Sequence, residues 1–430
     1  MVKMNLLKRK YGVSKRAKLF AIVFVVAFLV LLIILPLSFY KKRELTKEYM
    51  PLSFINFSEN KLTGLASSKT VETIGQLLSK AKDDGQPIQI LHIGDSHIQA
   101  DFFTAETRRL LSQWMNTPNT SRGFTFPYSM VKSNNPDDYD VVWEGEWTRN
   151  MWNPIESPLL GLAGVSASTV DTLSRFGVRL KQSTISFSPF NLVRVNYHAN
   201  GFEPILLESA NAELLSRDEG HSLYRLESQS SSVSFGLEKV GQSTGAFTLF
   251  GIELLNSDAI LQYHAAGVNG ASVGTFLGSS NFIQQATELN PNVVIISLGT
   301  NDAYSPSYSS ARFSQDYSEL IGRISNALPM ASIVVTTPGD HLIDRQRINP
   351  NIAKINKDIY RVAQVTGCAV WDFYRVMGGN GSVNLWAQQG FCESDKLHLN
   401  RKGYRLQGSL LFEAMIGATN NYREIESINQ

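Results

Sequence analysis

Short runs rich in Ile and Val alternate with segments of helical apolar spacing along much of this chain. Each run ends in a loop, which is typical of buried strands. Strands that alternate with helices favour a parallel sheet covered by helices on both faces. The predicted strands are 88–93, 260–264, 293–298, 332–337 and 369–372, and the predicted helices are 71–82, 101–114, 273–289, 313–328 and 351–366.

The alternation is interrupted between about residues 118 and 258, where the helical period disappears. Segments such as 193–197, 232–237 and 245–250 instead alternate polar and apolar residues between Gly, Ser and Asn turns. That pattern is typical of antiparallel strands. We therefore predict a discontinuous α/β domain at 61–117 and 258–417, with a β-rich domain at 118–257 inserted after its first strand and helix.

The N-terminal region predicts a membrane anchor. Residues 19–40 form an uncharged apolar run long enough to span a bilayer as a helix. Lys and Arg follow at 41–43, and no Ala-x-Ala cleavage site is present. Basic residues before the run favour a cytoplasmic N-terminus, although the cluster after it opposes that orientation. We predict a cytoplasmic segment at 1–18, a single-pass anchor at 19–40 and a stalk at 41–60.

Composition excludes few classes of protein. The net charge is only +2, so no strong positive field indicates nucleic-acid binding. The two cysteines, Cys368 and Cys392, fit a disulfide outside the cytoplasm and fit two free thiols equally well. The histidines show no spacing typical of metal ligands, and we predict neither a metal nor a cofactor.

Gly94-Asp95-Ser96-His97 follows the first predicted strand. In an open parallel sheet, ligands bind outside the carboxyl ends of the strands. The Ser96 hydroxyl is therefore expected in a crevice, near a helix N-terminus that favours developing negative charge. Asp95 and Ser96 are also good helix-capping residues, so this motif alone fits either role.

Two other strand ends supply the groups that a serine nucleophile needs. Asn301 follows the third strand, and its amide fits either an oxyanion donor or a turn residue. His398 and Asp395 follow the fifth strand as a general base and its orienting carboxylate. A lone Asp-x-x-His is more often a surface pair, but all three sites fall at the same predicted sheet edge. The sequence therefore predicts a catalytic triad of Ser96, His398 and Asp395.

These motifs resemble the sequence blocks of the SGNH/GDSL hydrolase family. The residues at 94–96, 299–302 and 395–398 resemble the blocks that carry the nucleophile, the oxyanion-hole asparagine and the base. His97 stands where the family usually has leucine. The stretch 267–272 resembles the remaining block. The resemblance thus implies an oxyanion hole formed by the amides of Ser96 and Gly270 and the side chain of Asn301, with Gly267 as the alternative glycine.

The resemblance covers roughly 85–117 and 258–417 and implies a three-layer α/β/α sheet. A narrower resemblance is to bacterial peptidoglycan O-acetylesterases, carried by 94–104, 267–271 and 386–404. That subfamily has an inserted β-sandwich similar to carbohydrate-binding modules.

The narrower resemblance implies a serine esterase that removes O-acetyl groups from a cell-envelope glycan, with peptidoglycan as the first candidate. The esterase would be anchored in the inner membrane and face the periplasm or exterior. An O-acetyltransferase acting on an extracytoplasmic polysaccharide and a non-catalytic glycan-binding protein remain alternatives. Neither the sugar-contacting residues nor the oligomeric state is indicated.

Overall fold

The computed structural model describes residues 52–65, 68–153, 155–182, 188–207, 212–241 and 245–429. The predicted segment at 1–18, the anchor at 19–40 and most of the stalk lie outside these residues. None of the helices described is long and apolar enough to cross a membrane. Residues Phe54–Gln430 form one compact unit, and the other unit, Met1–Ser53, is described only at its last two residues.

The helices of the described residues are α1 Thr70–Asp83, α2 Ser96–Gln99, α3 Phe102–Met115, α4 Val273–Leu277, α5 Phe282–Leu289, α6 Thr300–Tyr304, α7 Ser310–Ala327, α8 Ile352–Thr366, α9 Phe373–Met377, α10 Ser382–Gln388 and α11 Arg401–Asn429. The first ten strands are β1 Leu62–Thr63, β2 Ile88–Gly94, β3 Thr120–Ser121, β4 Gly123–Thr125, β5 Tyr139–Glu144, β6 Thr148–Met151, β7 Val165–Thr169, β8 Arg175–Leu180, β9 Phe190–His198 and β10 Phe202–Leu206. The remaining strands are β11 Glu213–Arg217, β12 His221–Ser230, β13 Ser232–Lys239, β14 Phe247–Leu255, β15 Leu261–Gly267, β16 Val293–Ser297, β17 Ser332–Thr336, β18 Leu342–Ile343, β19 Arg347–Ile348 and β20 Ala369–Trp371.

A seven-stranded sheet in the order β1-β20-β17-β16-β2-β15-β3 forms the centre of the α/β part. Its strands are parallel except for the edge strand β1, which is antiparallel to β20. Consecutive residues such as Ile90 and Leu91 are fully buried. Because successive side chains of a strand point to opposite faces, both faces of this sheet are covered. The predicted α/β fold is confirmed.

Two groups of helices provide this cover. Helices α1, α3 and α11 pack together, and α7 packs against α4 and α8. The segment 273–289, predicted as one helix, is two helices, because the chain turns at Gly278. A β-carbon at Gly278 would lie 2.0 Å from the ring of Trp152, so a side chain from the inserted part occupies the space beside the break.

The predicted stalk at 41–60 is too long, because its last residues pack on the α/β part. The ring of Phe54 lies 5.8 Å from that of Trp386, and Ile55 is buried. The Asn56 amide donates to the carbonyl oxygen of Val376 at 2.9 Å. Burial of these apolar side chains is favourable, so the folded unit begins at Phe54.

The β-rich insertion consists of two sheets, β10-β13-β8-β5 and β11-β12-β9-β14-β7-β6, with β4 paired to β14. Phe176 stacks on Phe235 of the same sheet, with ring centroids 5.3 Å apart, and on Phe247 of the other sheet, with ring centroids 5.9 Å apart. Aromatic contacts between the two sheets are typical of a β-sandwich core. The predicted boundary at 118 lies too early, because β3 pairs in parallel with β15 of the central sheet.

Cys368 and Cys392 are free thiols, so the structure does not contain the disulfide that the sequence left open. Cys368 lies at the amino end of β20, where Thr366 donates to its sulfur. Cys392 pairs with Leu399, next to His398.

Candidate active site

A tight turn between β2 and α2 presents Ser96 at the carboxyl edge of the sheet. A β-carbon at Gly94 would lie 2.4 Å from the Ile98 side chain and 2.7 Å from the Ser297 carbonyl oxygen, so only glycine fits there. Asp95 caps α2 by accepting the His97 amide at 3.0 Å. Ser96 is the first residue of the helix, which is a position that favours negative charge.

The structure brings Ser96, His398 and Asp395 into one hydrogen-bonded series. Ser96 Oγ lies 3.0 Å from His398 Nε2, and His398 Nδ1 lies 2.7 Å from Asp395 Oδ2. This is the geometry that a serine, a general base and an orienting carboxylate require. The catalytic roles of the three residues stay predictions, and their side chains are where those roles need them.

Asp395 is held in its charged form. Its Oδ1 accepts the amides of Leu397 and His398, each at 2.9 Å. Partial burial disfavours the carboxylate, but these hydrogen bonds and that from the His398 ring outweigh it and lower the pKa of Asp395. A charged Asp395 accepts the Nδ1 proton, so that Nε2 is available to take the proton of Ser96.

The predicted oxyanion-hole residues lie around the same turn. Asn301 Nδ2 donates to the Ala271 carbonyl at 2.8 Å and lies 3.4 Å from Asp95 Oδ2. One of its two hydrogens is therefore well engaged, and the other makes only a long contact. Within the described part of the chain, the amides of Ser96 and Gly270 donate to no other protein group. All three groups can donate to an oxyanion.

The structure favours Gly270 over Gly267 as the second amide. Gly270 has a φ of 81°, and a β-carbon there would meet nothing within 4 Å, so the turn is open on that side. Gly267 is the last residue of β15 and pairs with Gly94. Its β-carbon would lie 2.8 Å from the Asp95 carbonyl oxygen, so it is a close-packing glycine beneath the site.

His97 forms an ion pair beside the predicted triad. Its Nδ1 lies 2.6 Å from Asp95 Oδ1, and its ring centroid lies 5.5 Å from that of His398. Burial disfavours charge on both partners, but their mutual attraction and hydrogen bonds raise the pKa of His97 and lower that of Asp95. His97 departs from the family pattern, and the sequence predicts no role for it.

Both residues of this pair line a cavity of about 40 Å³. Leu397, Thr337, Asp340 and His341 also line it. Burial raises the pKa of Asp340 to about 6 and lowers that of His341 to about 4. No cluster of three or more His, Cys, Asp or Glu side chains among the described residues is arranged to hold a metal ion.

The fold and the arrangement of these side chains are those of a carboxylic ester hydrolase, and they resemble the SGNH/GDSL type. The model of the GDSL-like Lipase/Acylhydrolase family matches residues 248–406. That range contains Gly270, Asn301, Asp395 and His398. Ser96 lies outside it, on the other side of the insertion. The predicted resemblance to this family is confirmed.

The solved structure of a peptidoglycan O-acetylesterase is similar over most of the chain. It aligns with a TM-score of 0.69 at 20% identity and covers 84% of this chain and 99% of its own. A lipase/acylhydrolase from Enterococcus faecalis (TM-score 0.30, 22% identity) covers 36% of this chain and 76% of its own. An acetylxylan esterase from Geobacillus stearothermophilus (TM-score 0.30, 14% identity) covers 37% and 74%. No curated protein matches the sequence.

Proposed function

We propose that this chain is a membrane-anchored serine esterase that removes O-acetyl groups from a cell-envelope glycan, with peptidoglycan as the substrate. The observation that carries the proposal is the series Ser96–His398–Asp395 at the carboxyl edge of the sheet, with distances of 3.0 and 2.7 Å. The similarity in fold to a peptidoglycan O-acetylesterase, over 84% of the chain, supports the choice of substrate.

The geometry suits a two-step reaction. Ser96 Oγ attacks the acetyl carbonyl carbon while His398 Nε2 takes the hydroxyl proton, and the same nitrogen returns that proton to the departing sugar oxygen. His398 then takes a proton from a water molecule whose oxygen attacks the acetyl-serine, and it returns that proton to Ser96 Oγ as acetate is released. The amides of Ser96 and Gly270 and the side chain of Asn301 stabilise the oxyanion in both steps. Each donor contributes about 3 kcal/mol in comparable sites.

The anchor is proposed from the sequence alone. The uncharged run at 19–40 and the basic residues before it support an enzyme anchored in the inner membrane, with its folded unit in the periplasm or outside the cell. A reporter enzyme fused after residue 430 measures this topology in living cells. Activity restricted to a periplasmic reporter is expected, and activity restricted to a cytoplasmic one would reverse the orientation.

Acetate release by the full chain tests the reaction and the substrate together. The purified protein is incubated with O-acetylated peptidoglycan, with an acetylated exopolysaccharide, and with each glycan plus a donor ester. Release of free acetate from peptidoglycan is expected. Transfer of acetyl from the donor ester to a glycan would identify an O-acetyltransferase, and binding without either reaction would identify a glycan-binding protein.

A further inference from the structure

Gln99 connects three segments around the predicted active site. It is the last residue of α2, three positions after Ser96, and is only 1% exposed. Its Oε1 accepts the Asn269 amide at 2.7 Å. Its Nε2 donates to the Asn134 carbonyl at 2.8 Å and to Ser133 Oγ at 2.9 Å. A buried side-chain amide with both ends engaged fixes the groups that it contacts.

The group held most directly is the turn that carries Gly270. Asn269 immediately precedes Gly270, and its own side chain donates to Asn134 Oδ1 at 2.8 Å. On its other sides, the turn is held by the Val268 amide on the Gly94 carbonyl and by Asn301 on the Ala271 carbonyl. Gln99 thus holds the backbone amide that immediately precedes that of Gly270.

The same contacts join the inserted part to the active-site rim. Ser133 and Asn134 belong to the loop between the 3₁₀ turn Tyr128–Val131 and β5. Farther along this loop, Asp137 accepts from Arg401 at 3.0 Å. Arg401 begins α11, three residues after His398. The loop thus connects the turn that carries Gly270 with α11, the helix that follows the predicted base His398.

We propose that Gln99 is a positioning residue for the oxyanion hole, holding the Gly270 amide in place through Asn269 and coupling it to the Ser133–Asn134 loop. This inference rests on the proposed function, because it assigns Gln99 to the same reaction. Gln99 touches no reacting atom. It acts by fixing a donor whose misplacement by a fraction of an ångström weakens stabilisation of the transition state.

The variant Gln99→Met tests this role, because it keeps the size of the side chain and removes both polar ends. We expect kcat for 4-nitrophenyl acetate to fall at least about ten-fold, with KM changed less than about two-fold, since an oxyanion contact is made mainly in the transition state. Rates are normalised to folded protein measured by circular dichroism, so that loss of fold is not counted as loss of catalysis.

Gln285→Met is the matched control. Gln285 is also a buried glutamine, 6% exposed, and its Oε1 accepts the Leu162 amide of the inserted part at 2.6 Å. It is outside the site. The control is expected to lower the melting temperature and to leave kcat within about two-fold of wild type, because it removes the same kind of contact away from the reaction.

A double-variant cycle with Asn301→Ala separates positioning from general destabilisation. If Gln99 acts through the oxyanion hole, its effect on kcat is non-additive with that of Asn301→Ala, whereas Gln285→Met is additive. Asn134→Ala keeps the backbone carbonyl that accepts from Gln99. It removes Oδ1, which accepts from Asn269 Nδ2 at 2.8 Å and from Gln99 Nε2 at 3.1 Å, and a fall of about three-fold or more in kcat is expected. If Gln99→Met does not fold, Asn134→Ala alone tests the positioning role.

A folded Gln99→Met with wild-type kcat, or one that changes only KM, would overturn the inference. So would a fall in kcat equal to that of Gln285→Met, or, if Gln99→Met is unfolded, a wild-type kcat in Asn134→Ala. Failure of the proposed function has a different signature. In that case the wild-type protein does not hydrolyse the ester, or hydrolyses it as fast as Ser96→Ala.

Discussion

Two carboxyl groups near Ser96 have opposite electrostatic environments. Asp95 is buried, but the charge and hydrogen bonds of His97 hold its pKa below the ordinary value. The Asp302 side chain is largely buried, the Val273 amide donates to its Oδ1 at 3.3 Å, and burial raises its pKa to about 7. Among the described residues, Oδ2 of Asp302 has no hydrogen-bond partner. An unpaired buried carboxylate costs stability, which makes Asp302 a group whose protonation is linked to folding.

The variant Asp302→Asn is expected to stabilise the protein at high pH. The folded-state pKa lies above the unfolded value of 3.8, so the wild-type protein is fully stabilised below pH 4 and loses stability as the pH rises through about 7. Asparagine does not ionise. The difference in unfolding free energy between variant and wild type should therefore grow between pH 4 and 8, by about 1.4 kcal/mol per pKa unit.

Denaturant unfolding of both proteins at pH 4, 6 and 8 measures this difference. Other ionisable groups contribute equally to both proteins and cancel. A constant difference at the three pH values would contradict the assignment of a raised pKa to Asp302.

At the residue scale, the sequence predicts groups that belong to recognisable motifs. Ser96, Asn301 and His398 each follow a strand, and parallel strands bring their carboxyl ends together. Gln99 carries no such signal. Its hydrogen-bond partners at 133–134 and 269 lie far from it in the sequence. A single glutamine in a short helix could equally be exposed to solvent, so the sequence does not predict that Gln99 is buried.

At the scale of elements, the packing of α1 on α11 depends on one small residue. A β-carbon at Gly75 would lie 2.3 Å from the Ala418 carbonyl oxygen, and backbone cannot move aside as a flexible side chain can. Gly322 in α7 has nothing within 4 Å of that position. Both are helical glycines, so they form a matched pair with and without a close neighbour.

Gly75→Ala is expected to destabilise the protein by about 1–3 kcal/mol, because the two helices must separate. Gly322→Ala should stabilise it by about 0.5–1 kcal/mol, because alanine loses less backbone freedom in a helix. Thermal and denaturant unfolding measure both effects. A neutral or stabilising Gly75→Ala would show that the two helices are not in close contact.

The five predicted strands and four of the five predicted helices of the α/β part could be predicted to within a few residues, because apolar periodicity determines which residues are buried. The break between α4 and α5 at Gly278 and the packing of Phe54 and Ile55 could not be predicted from the sequence. Both depend on tertiary partners, Trp152 and Trp386, that are distant in sequence.

At the scale of the whole molecule, the surroundings of the site indicate a short acyl group. The nearby segments 299–310 and 378–390 are mostly polar or small. A lipase needs a larger apolar pocket for its acyl chain.

Acetyl esters should therefore be hydrolysed faster than octanoyl esters, with kcat/KM at least about ten-fold higher, because that ratio reports discrimination in the transition state. A series of 4-nitrophenyl esters from acetyl to decanoyl measures it with one leaving group throughout. If kcat/KM rises with chain length, the enzyme is a lipid esterase with the same triad.

For the whole molecule, the sequence predicts which kinds of sheet are present but not the order of their strands or the limits of the insertion. Parallel strands and a β-rich insertion follow from sequence patterns, but the exact boundary does not. Thr120–Ser121 falls within the predicted insertion, but it pairs with β15 of the central sheet. The partner of a strand is decided by tertiary packing and not by its local sequence pattern.

The variant Ser96→Ala tests the central claim most directly. It removes only Oγ, whose hydrogen-bond partner is His398 Nε2 at 3.0 Å, so the fold should be retained. Hydrolysis of 4-nitrophenyl acetate and the melting temperature are measured on the same preparation. We expect kcat to fall by at least about 10³-fold, as for loss of the nucleophile in other triads, with an unchanged melting temperature. A well-folded Ser96→Ala that keeps substantial turnover would place the nucleophile elsewhere and contradict the proposed site.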